Sequence, residues 1–174
     1  RDTYRAIKNK LDLPMPMGYA SVGIVSHNNK NHNFLKNTRV YTNSFHQEEA
    51  LVDYQMCVRI PDNLDNKSAS FGAIGGIAMQ SIKCIPEGSK FIAVIGLGLL
   101  GQVTLRILNA LGYKCIVYDI DTEKVDYAIK HSNVKGILTN NITEEVLNFS
   151  KGIGVDATII AASSPSNEIV NNAT

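Results

Sequence analysis

Three glycines form the pattern with the clearest chemistry in this sequence. Gly96, Gly98 and Gly101 stand as G-x-G-x-x-G between an apolar segment and an amphipathic one. In such a turn the first glycine permits the sharp bend, the second lets a pyrophosphate approach the backbone, and the third lets helix and strand pack closely. The helix that follows, from Leu99 and Leu100 onward, offers backbone N–H groups to the phosphates. The pattern therefore predicts a dinucleotide site.

An acidic residue after the next apolar run indicates which dinucleotide binds. Asp119 ends the run CIVYD, at about the distance from the glycines where a carboxylate accepts hydrogen bonds from an adenosine ribose. A carboxylate there also repels a 2′-phosphate, so the predicted cofactor is NAD(H), and NADP(H) is disfavoured. In the alternative interpretation, the glycines form only a tight turn and Asp119 is an ordinary strand-end residue.

The second part of the chain alternates between strand and helix patterns. Apolar runs predict strands, and amphipathic segments predict helices, the first helix beginning at Ser68. The predicted strands are 91–95, 115–118, 136–139 and 157–162, and the later helices are 99–111, 122–130, one capped by Thr143, and 166–172. This order predicts an α/β domain over residues 68–174 with a Rossmann-type, doubly wound parallel sheet. A full sheet of this type has about six strands, so we expect it to be incomplete at the C-terminus.

The first part of the chain shows only short β-like runs between polar stretches. We expect residues 1–67 to form part of a small β domain. Its predicted strands are 21–25, 38–41 and 50–60.

Composition excludes several classes of protein. The 174 residues carry a net charge of +1 and are 44% hydrophobic, which is neither a nucleic-acid footprint nor a disordered composition. No long apolar run or signal pattern predicts a membrane span or secretion. Cys57, Cys84 and Cys115 lie far apart among apolar neighbours, so we expect buried, reduced thiols in a cytoplasmic protein. Because the chain begins at Arg1, we also expect a piece of a longer protein.

A longer stretch of sequence carries a resemblance to a known family. The glycine run and YKCIVYDIDTEKVDYA, preceded by VRIPDNLDNKSASFGAIGGIAMQ, resemble the medium-chain dehydrogenase/reductase superfamily, which includes the zinc-type alcohol dehydrogenases. The resemblance implies a GroES-like β domain followed by a Rossmann domain, and a homodimer in the full-length protein. It also implies that Lys124 borders the adenosine ribose and that Ala162 and Ser163 lie towards the nicotinamide.

The same resemblance exposes missing zinc ligands. Zinc-dependent members have Gly-His-Glu where this chain has Gly18, Tyr19 and Ala20. Another ligand position falls near Phe71, and no thiol, imidazole or carboxylate occurs over residues 68–79. We therefore expect no metal site and a zinc-independent protein. The subgroup with Gly-Tyr includes members of sugar-modifying pathways, which implies a small, sugar-derived alcohol or carbonyl substrate.

Two side chains are candidates for the chemistry that zinc would otherwise supply. The Tyr19 phenol could polarise a carbonyl oxygen and pass a proton, or it could be a packed aromatic residue. His46, beside Glu48 and Glu49, could relay protons or belong to a solvated loop.

Three functions remain open. The first is an alcohol dehydrogenase-like oxidoreductase of the EC 1.1.1 type that uses NAD and no zinc. The second is a non-catalytic NAD-binding sensor or scaffold. The third is an enoyl or quinone reductase, which normally prefers NADPH and which Asp119 disfavours.

Overall fold

The chain folds into two compact units. The computed structural model describes residues 16–27, 34–138, 141–163 and 169. The units are Arg1–Ala73 and Ile74–Thr174. The domain boundary expected after residue 67 stays a prediction.

The first unit contains a three-stranded antiparallel sheet in the order β1-β2-β3. Its strands are β1 (Ser21–Ile24), β2 (Arg39–Thr42) and β3 (Cys57–Arg59). The first two agree with the sequence to within a residue, but the strand predicted over 50–60 is wrong for most of its length. A 3-10 turn, Tyr54–Met56, precedes β3, because the Asp53 side chain accepts a hydrogen bond from the Gln55 N–H and starts the turn.

Two helices replace the single helix predicted from Ser68. Helix α1 is Asn66–Ala69, and helix α2 is Gly72–Ile82. The short helix begins early because the Asp65 carboxylate accepts hydrogen bonds from both the N–H and the hydroxyl of Ser68.

The second unit contains a four-stranded parallel sheet in the order β6-β5-β4-β7. The strands are β4 (Phe91–Ile95), β5 (Lys114–Tyr118), β6 (Val134–Gly136) and β7 (Ala157–Ile160). The helices between them are α3 (Leu99–Ala110), α4 (Thr122–His131) and α5 (Ile142–Phe149). Both the element order and the sheet confirm the predicted α/β, Rossmann-type fold.

The core of this unit lies on both faces of the sheet, since neighbouring residues of a strand point to opposite faces. Ile92 and Val94 of β4 pack with Leu105 of α3 and Val125 of α4. Ala93, between them, belongs to a second cluster that packs against α5. Helices therefore cover both faces, as a doubly wound sheet requires. Within the described part of the chain, no helix is long and apolar enough to cross a membrane.

Several predicted boundaries shift. The strand predicted over 136–139 ends at Gly136, where a Cβ atom would lie 2.5 Å from Ile129 Cδ1, and residue 139 lies outside the described residues. Thr143 is not the helix cap: the Asn141 side chain accepts a hydrogen bond from the Glu144 N–H. Strand β7 ends two residues early. The helix predicted over 166–172 lies outside the described residues, apart from residue 169.

The three cysteines are free thiols in different surroundings. Cys115 is buried in β5, and burial raises the pKa of its thiol to about 12. Cys57 is half-buried. Cys84 is exposed, so its predicted burial is wrong: it lies beyond the end of α2, where its thiol donates to the Gln80 carbonyl.

Candidate functional site

The glycine turn between β4 and α3 has the strained geometry that its sequence predicts. Gly96 has a φ of 91°, a conformation that side chains with a Cβ rarely adopt. A Cβ atom on Gly96 would lie 2.6 Å from the Ala162 backbone nitrogen and 2.7 Å from the Ala162 Cβ. The Gly96 N–H donates to the Tyr118 carbonyl at 2.8 Å. Only glycine fits here, between the ends of three neighbouring strands.

The other two glycines have opposite surroundings. A Cβ atom on Gly101 would overlap the Gly96 carbonyl oxygen, whereas one on Gly98 would have no atom of the described residues within 4 Å. Gly98 is the N-cap of α3 and makes no side-chain cap. The N–H groups of Leu99 and Leu100 have no acceptor within the helix, because they belong to its first turn. The backbone at Gly98 is thus open to a ligand, at the positive end of the helix dipole.

Asp119 holds the glycine turn from the end of β5. One carboxylate oxygen accepts the Leu97 N–H at 2.6 Å, and the other accepts the Asp121 N–H at 2.9 Å. A carboxylate has about four acceptor positions, so these two bonds leave capacity for further hydrogen-bond donors. Sequence reasoning assigned the ribose role but missed the bond to Leu97. The parallel pairing of Ile95 with Tyr118 brings the two segments side by side.

Lys124 lies in the first turn of α4, next to the glycine turn. Its Nζ is 3.2 Å from an Asp121 carboxylate oxygen, and both side chains are exposed enough that the pair contributes about 0–1 kcal/mol. The Lys124 carbonyl accepts a hydrogen bond from Gln102 Nε2 at 3.4 Å. Gln102 was not singled out from the sequence.

The residues after β7 approach the same turn. Ala162 lies against Gly96, as the Cβ distances above show, and the Ala161 N–H donates to the Ile95 carbonyl at 2.7 Å. Ser163 follows at an exposed position. The structure therefore brings Ala162 to the glycine turn, and the nicotinamide-side role of both residues stays a prediction.

The first unit brings the other two candidate residues together. Gly18 has a φ of 76°, and a Cβ atom there would lie 2.6 Å from His46 Cε1. The His46 N–H donates to the Met17 carbonyl at 2.7 Å. Tyr19, which follows Gly18, is 60% exposed, and His46 is exposed as well. A phenol and an imidazole thus lie on adjoining segments.

A third side chain near Tyr19, that of Tyr41, was not singled out from the sequence. The Tyr41 hydroxyl donates to Asn43 Oδ1 at 2.8 Å, and a Cβ atom on Gly72 would lie 2.9 Å from its ring. Burial raises the pKa of Tyr41; the Ala73 backbone N–H opposes this rise, and the nearby Tyr19 adds to it. Tyr41 is therefore a neutral phenol.

A metal centre has no ready set of ligands in the part of the chain that the structure describes. No group of three or more His, Cys, Asp or Glu side chains there could hold a metal ion. Zinc independence stays a prediction, because the described residues do not cover the whole chain.

The fold and the glycine turn define a Rossmann-type dinucleotide-binding domain. The model of the family described as the NAD binding domain of 6-phosphogluconate dehydrogenase matches residues 91–174. A probable cinnamyl alcohol dehydrogenase 9 from Arabidopsis thaliana is 31% identical over 96 residues, which are 53% of this chain and 27% of that protein. The chain thus spans about a quarter of that relative's length.

Solved oxidoreductase structures share the fold. The 2R,3R-butanediol dehydrogenase from Bacillus subtilis has a TM-score of 0.76 at 16% identity, covering 92% of this chain and 55% of that one. The quinone oxidoreductase from Escherichia coli, solved with NADPH, has a TM-score of 0.73 at 17% identity, covering 92% and 53%. At such identities the likeness shows the fold alone, and this chain spans about half of each structure.

Proposed function

We propose that this chain is part of an NAD(H)-dependent oxidoreductase of the medium-chain dehydrogenase/reductase superfamily. Its reaction transfers hydride to or from a small alcohol or carbonyl compound, and the resemblance favours a sugar-derived one. The observation that carries the proposal is the glycine turn: its backbone is open at Gly98 and closed by packing at Gly96 and Gly101. The alcohol dehydrogenase relative supports the same reaction class.

The residues of the second unit fit a dinucleotide. The first turn of α3 presents the N–H groups of Leu99 and Leu100 to a pyrophosphate, beside a glycine whose missing side chain leaves room for it. The Asp119 carboxylate keeps free acceptor positions for ribose hydroxyls. When bound, the cofactor supplies the hydride chemistry. The protein orients it.

Preference for NAD over NADP follows from the charges around the ribose position. The Asp121 N–H donates to the Asp119 carboxylate, so the two acids lie side by side, and the neighbouring cation, Lys124, is paired with Asp121. A 2′-phosphate would meet the negative charge of Asp119 beside a Lys124–Asp121 pair whose two charges offset each other. The NADPH in the Escherichia coli quinone oxidoreductase belongs to that protein.

Catalysis without zinc would use the side chains of Tyr19 and His46 in the first unit, with Tyr41 as a third member of this cluster. We propose Tyr19 as the group that donates a hydrogen bond to the reacting oxygen. It is exposed, and its backbone adjoins His46, which is exposed to solvent and could exchange the proton. Tyr41 lies near Tyr19, but its hydroxyl already donates to Asn43, so we assign it no proton transfer.

A titration of the full-length protein with NAD(H), NADP(H) and zinc tests the proposal, followed by turnover of a panel of alcohols and carbonyl compounds. Tight NADH binding with carbonyl turnover that survives a metal chelator supports it. Binding of NADH without any turnover would favour the sensor or scaffold. Preference for NADPH with turnover of quinones or enones would favour the reductase. Absence of dinucleotide binding would overturn the proposal.

A further inference from the structure

We propose that Gln102 is a positioning residue of the dinucleotide site. Its carboxamide ties the Leu97 peptide to the first turn of α4 and thereby sets the affinity for the adenosine half of the cofactor. This inference rests on the proposed function, because it concerns the same dinucleotide site.

The Gln102 side chain bridges two segments that border the ribose position. Its Nε2 donates to the Leu97 carbonyl at 3.4 Å and to the Lys124 carbonyl at 3.4 Å. Both partners can only accept, so hydrogen-bonding chemistry decides that the amide nitrogen, rather than the oxygen, faces them. A single side chain thus connects the glycine turn to the start of α4.

The Leu97 peptide is held from both sides. Its N–H donates to Asp119 at 2.6 Å, and its C=O accepts from Gln102. The Leu97 side chain is 2% exposed and belongs to the core. Leu97 immediately precedes Gly98, so the clamp orients the open backbone that faces a pyrophosphate. A site that is ordered before the ligand arrives loses less entropy on binding.

The side-chain oxygen of Gln102, Oε1, indicates that this residue does more than fill space in the core. Gln102 Oε1 is buried and has no hydrogen-bond partner among the described residues. A buried acceptor without a partner is destabilising, and an apolar side chain of similar length would fill the space without that cost. Core packing therefore favours a residue other than glutamine here. The bonds to the two backbone carbonyls, and their effect on the site, explain why an amide is present.

The test replaces Gln102 by methionine in the full-length protein and measures NADH affinity by fluorescence titration. The Kd for NADH should rise by roughly two- to tenfold, the range that one hydrogen bond supplies. AMP, which carries the adenosine half, should lose affinity by a similar factor. The matched control is Gln80→Met, at an exposed position of α2 in the same unit, which should leave both affinities unchanged. Unchanged NADH affinity in the Gln102→Met protein would overturn the proposal.

A double substitution separates a shared clamp from two independent effects. Because Gln102 and Asp119 hold the same peptide, the Kd increase in the double variant Gln102→Met, Asp119→Ser should be smaller than the product of the two single increases. A simple product would contradict the clamp. If Gln102→Met does not fold, Gln102→Asn, which keeps the amide but shortens its reach, replaces it in both measurements with the same expectations.

Hydrogen exchange of the free protein gives a readout that needs no cofactor. Backbone amides of residues 96–101 should exchange faster in Gln102→Met than in the unsubstituted protein, while the core of β5 keeps its protection. Equal exchange rates in the glycine turn would overturn the positioning role. The unsubstituted protein could bind no NADH while amides of the glycine turn still exchange faster in the variant. That result would overturn the proposed function and would support the role of Gln102 in holding the Leu97 peptide.

Discussion

The Cβ position of Gly101 overlaps the carbonyl oxygen of Gly96. The two glycines close the turn from β4 into α3 so tightly that the backbone of the helix lies directly on the backbone of the turn. A Cβ atom on Gly98, between them, would meet none of the residues that the structure describes. One short motif therefore contains two positions that packing closes and one that packing leaves open, and substitutions can separate the two.

Replacing Gly101 by alanine should destabilise the protein by about 1–3 kcal/mol, the usual cost of overpacking. The added methyl group meets backbone, which cannot rotate away as a side chain could. Denaturant unfolding of the unsubstituted and substituted proteins measures the difference.

The control for that substitution is Gly98→Ala. Its methyl group enters open space at a φ of −66°, which alanine adopts easily, so stability should change by less than about 1 kcal/mol. NADH binding should weaken, because the methyl group stands where the pyrophosphate approaches the backbone. Equal unfolding midpoints for the two variants would show that the packing explanation is wrong.

Replacing Asp119 by serine should reduce the preference for NAD over NADP. The substitution removes both the ribose acceptor and the charge that repels a 2′-phosphate, and a hydrogen bond to a charged group accounts for roughly tenfold or more in affinity. Titrations with NADH and NADPH measure the ratio. Asp126→Ser, which removes an exposed charge from α4, should leave the ratio unchanged. An unaltered ratio in Asp119→Ser would remove the ribose role.

Replacing Tyr19 by phenylalanine should lower kcat by about 10²- to 10⁴-fold if the phenol donates to the reacting oxygen. The Kd for NADH should stay the same, because the glycine turn is untouched. Tyr127→Phe, which removes a hydroxyl from an exposed ring on α4, serves as the control. Full turnover by the Tyr19→Phe protein would leave Tyr19 with a structural role only.

Acid should weaken the junction between β4 and β7. The Asp156 carboxylate accepts the Phe91 and Lys90 N–H groups at 2.8 and 2.7 Å, and these bonds lower its pKa from 3.8. A lowered pKa in the folded state means that the carboxylate stabilises the fold above about pH 4. That contribution is lost as the pH falls through the lowered pKa.

Urea unfolding at decreasing pH tests this linkage. The Asp156→Asn protein should lose less stability on acidification below about pH 4 than the unsubstituted protein does. Asp126→Asn should keep the original slope. Parallel acid profiles for Asp156→Asn and the unsubstituted protein would mean that Asp156 is not the group responsible.

Local patterns predicted the second unit better than the first. Strand β4 matches its predicted limits, and helix α3 differs by one residue, because strong apolar periodicity and the glycines mark both ends. The strand predicted over 50–60 was wrong for most of its length, because the hydrogen bond from the Gln55 N–H to the Asp53 side chain favours a turn over extended backbone. The prediction of Thr143 as the cap of α5 was wrong because Asn141, two residues earlier, can also cap a helix and does so here.

The sequence by itself determined the Rossmann-type alternation, the glycine turn and an acid directly after β5, because each depends on residues that are close together or regularly spaced. Tertiary structure alone decided that Asp119 and Gln102 hold Leu97, that His46 lies against Gly18, and that the Tyr41 ring lies against Gly72. In the second unit, these partners come together only when β4 and β5 pair in parallel register. Hydrogen bonds between side chains and backbone have short reach and no sequence period, so the partner follows from the folded geometry and not from the spacing.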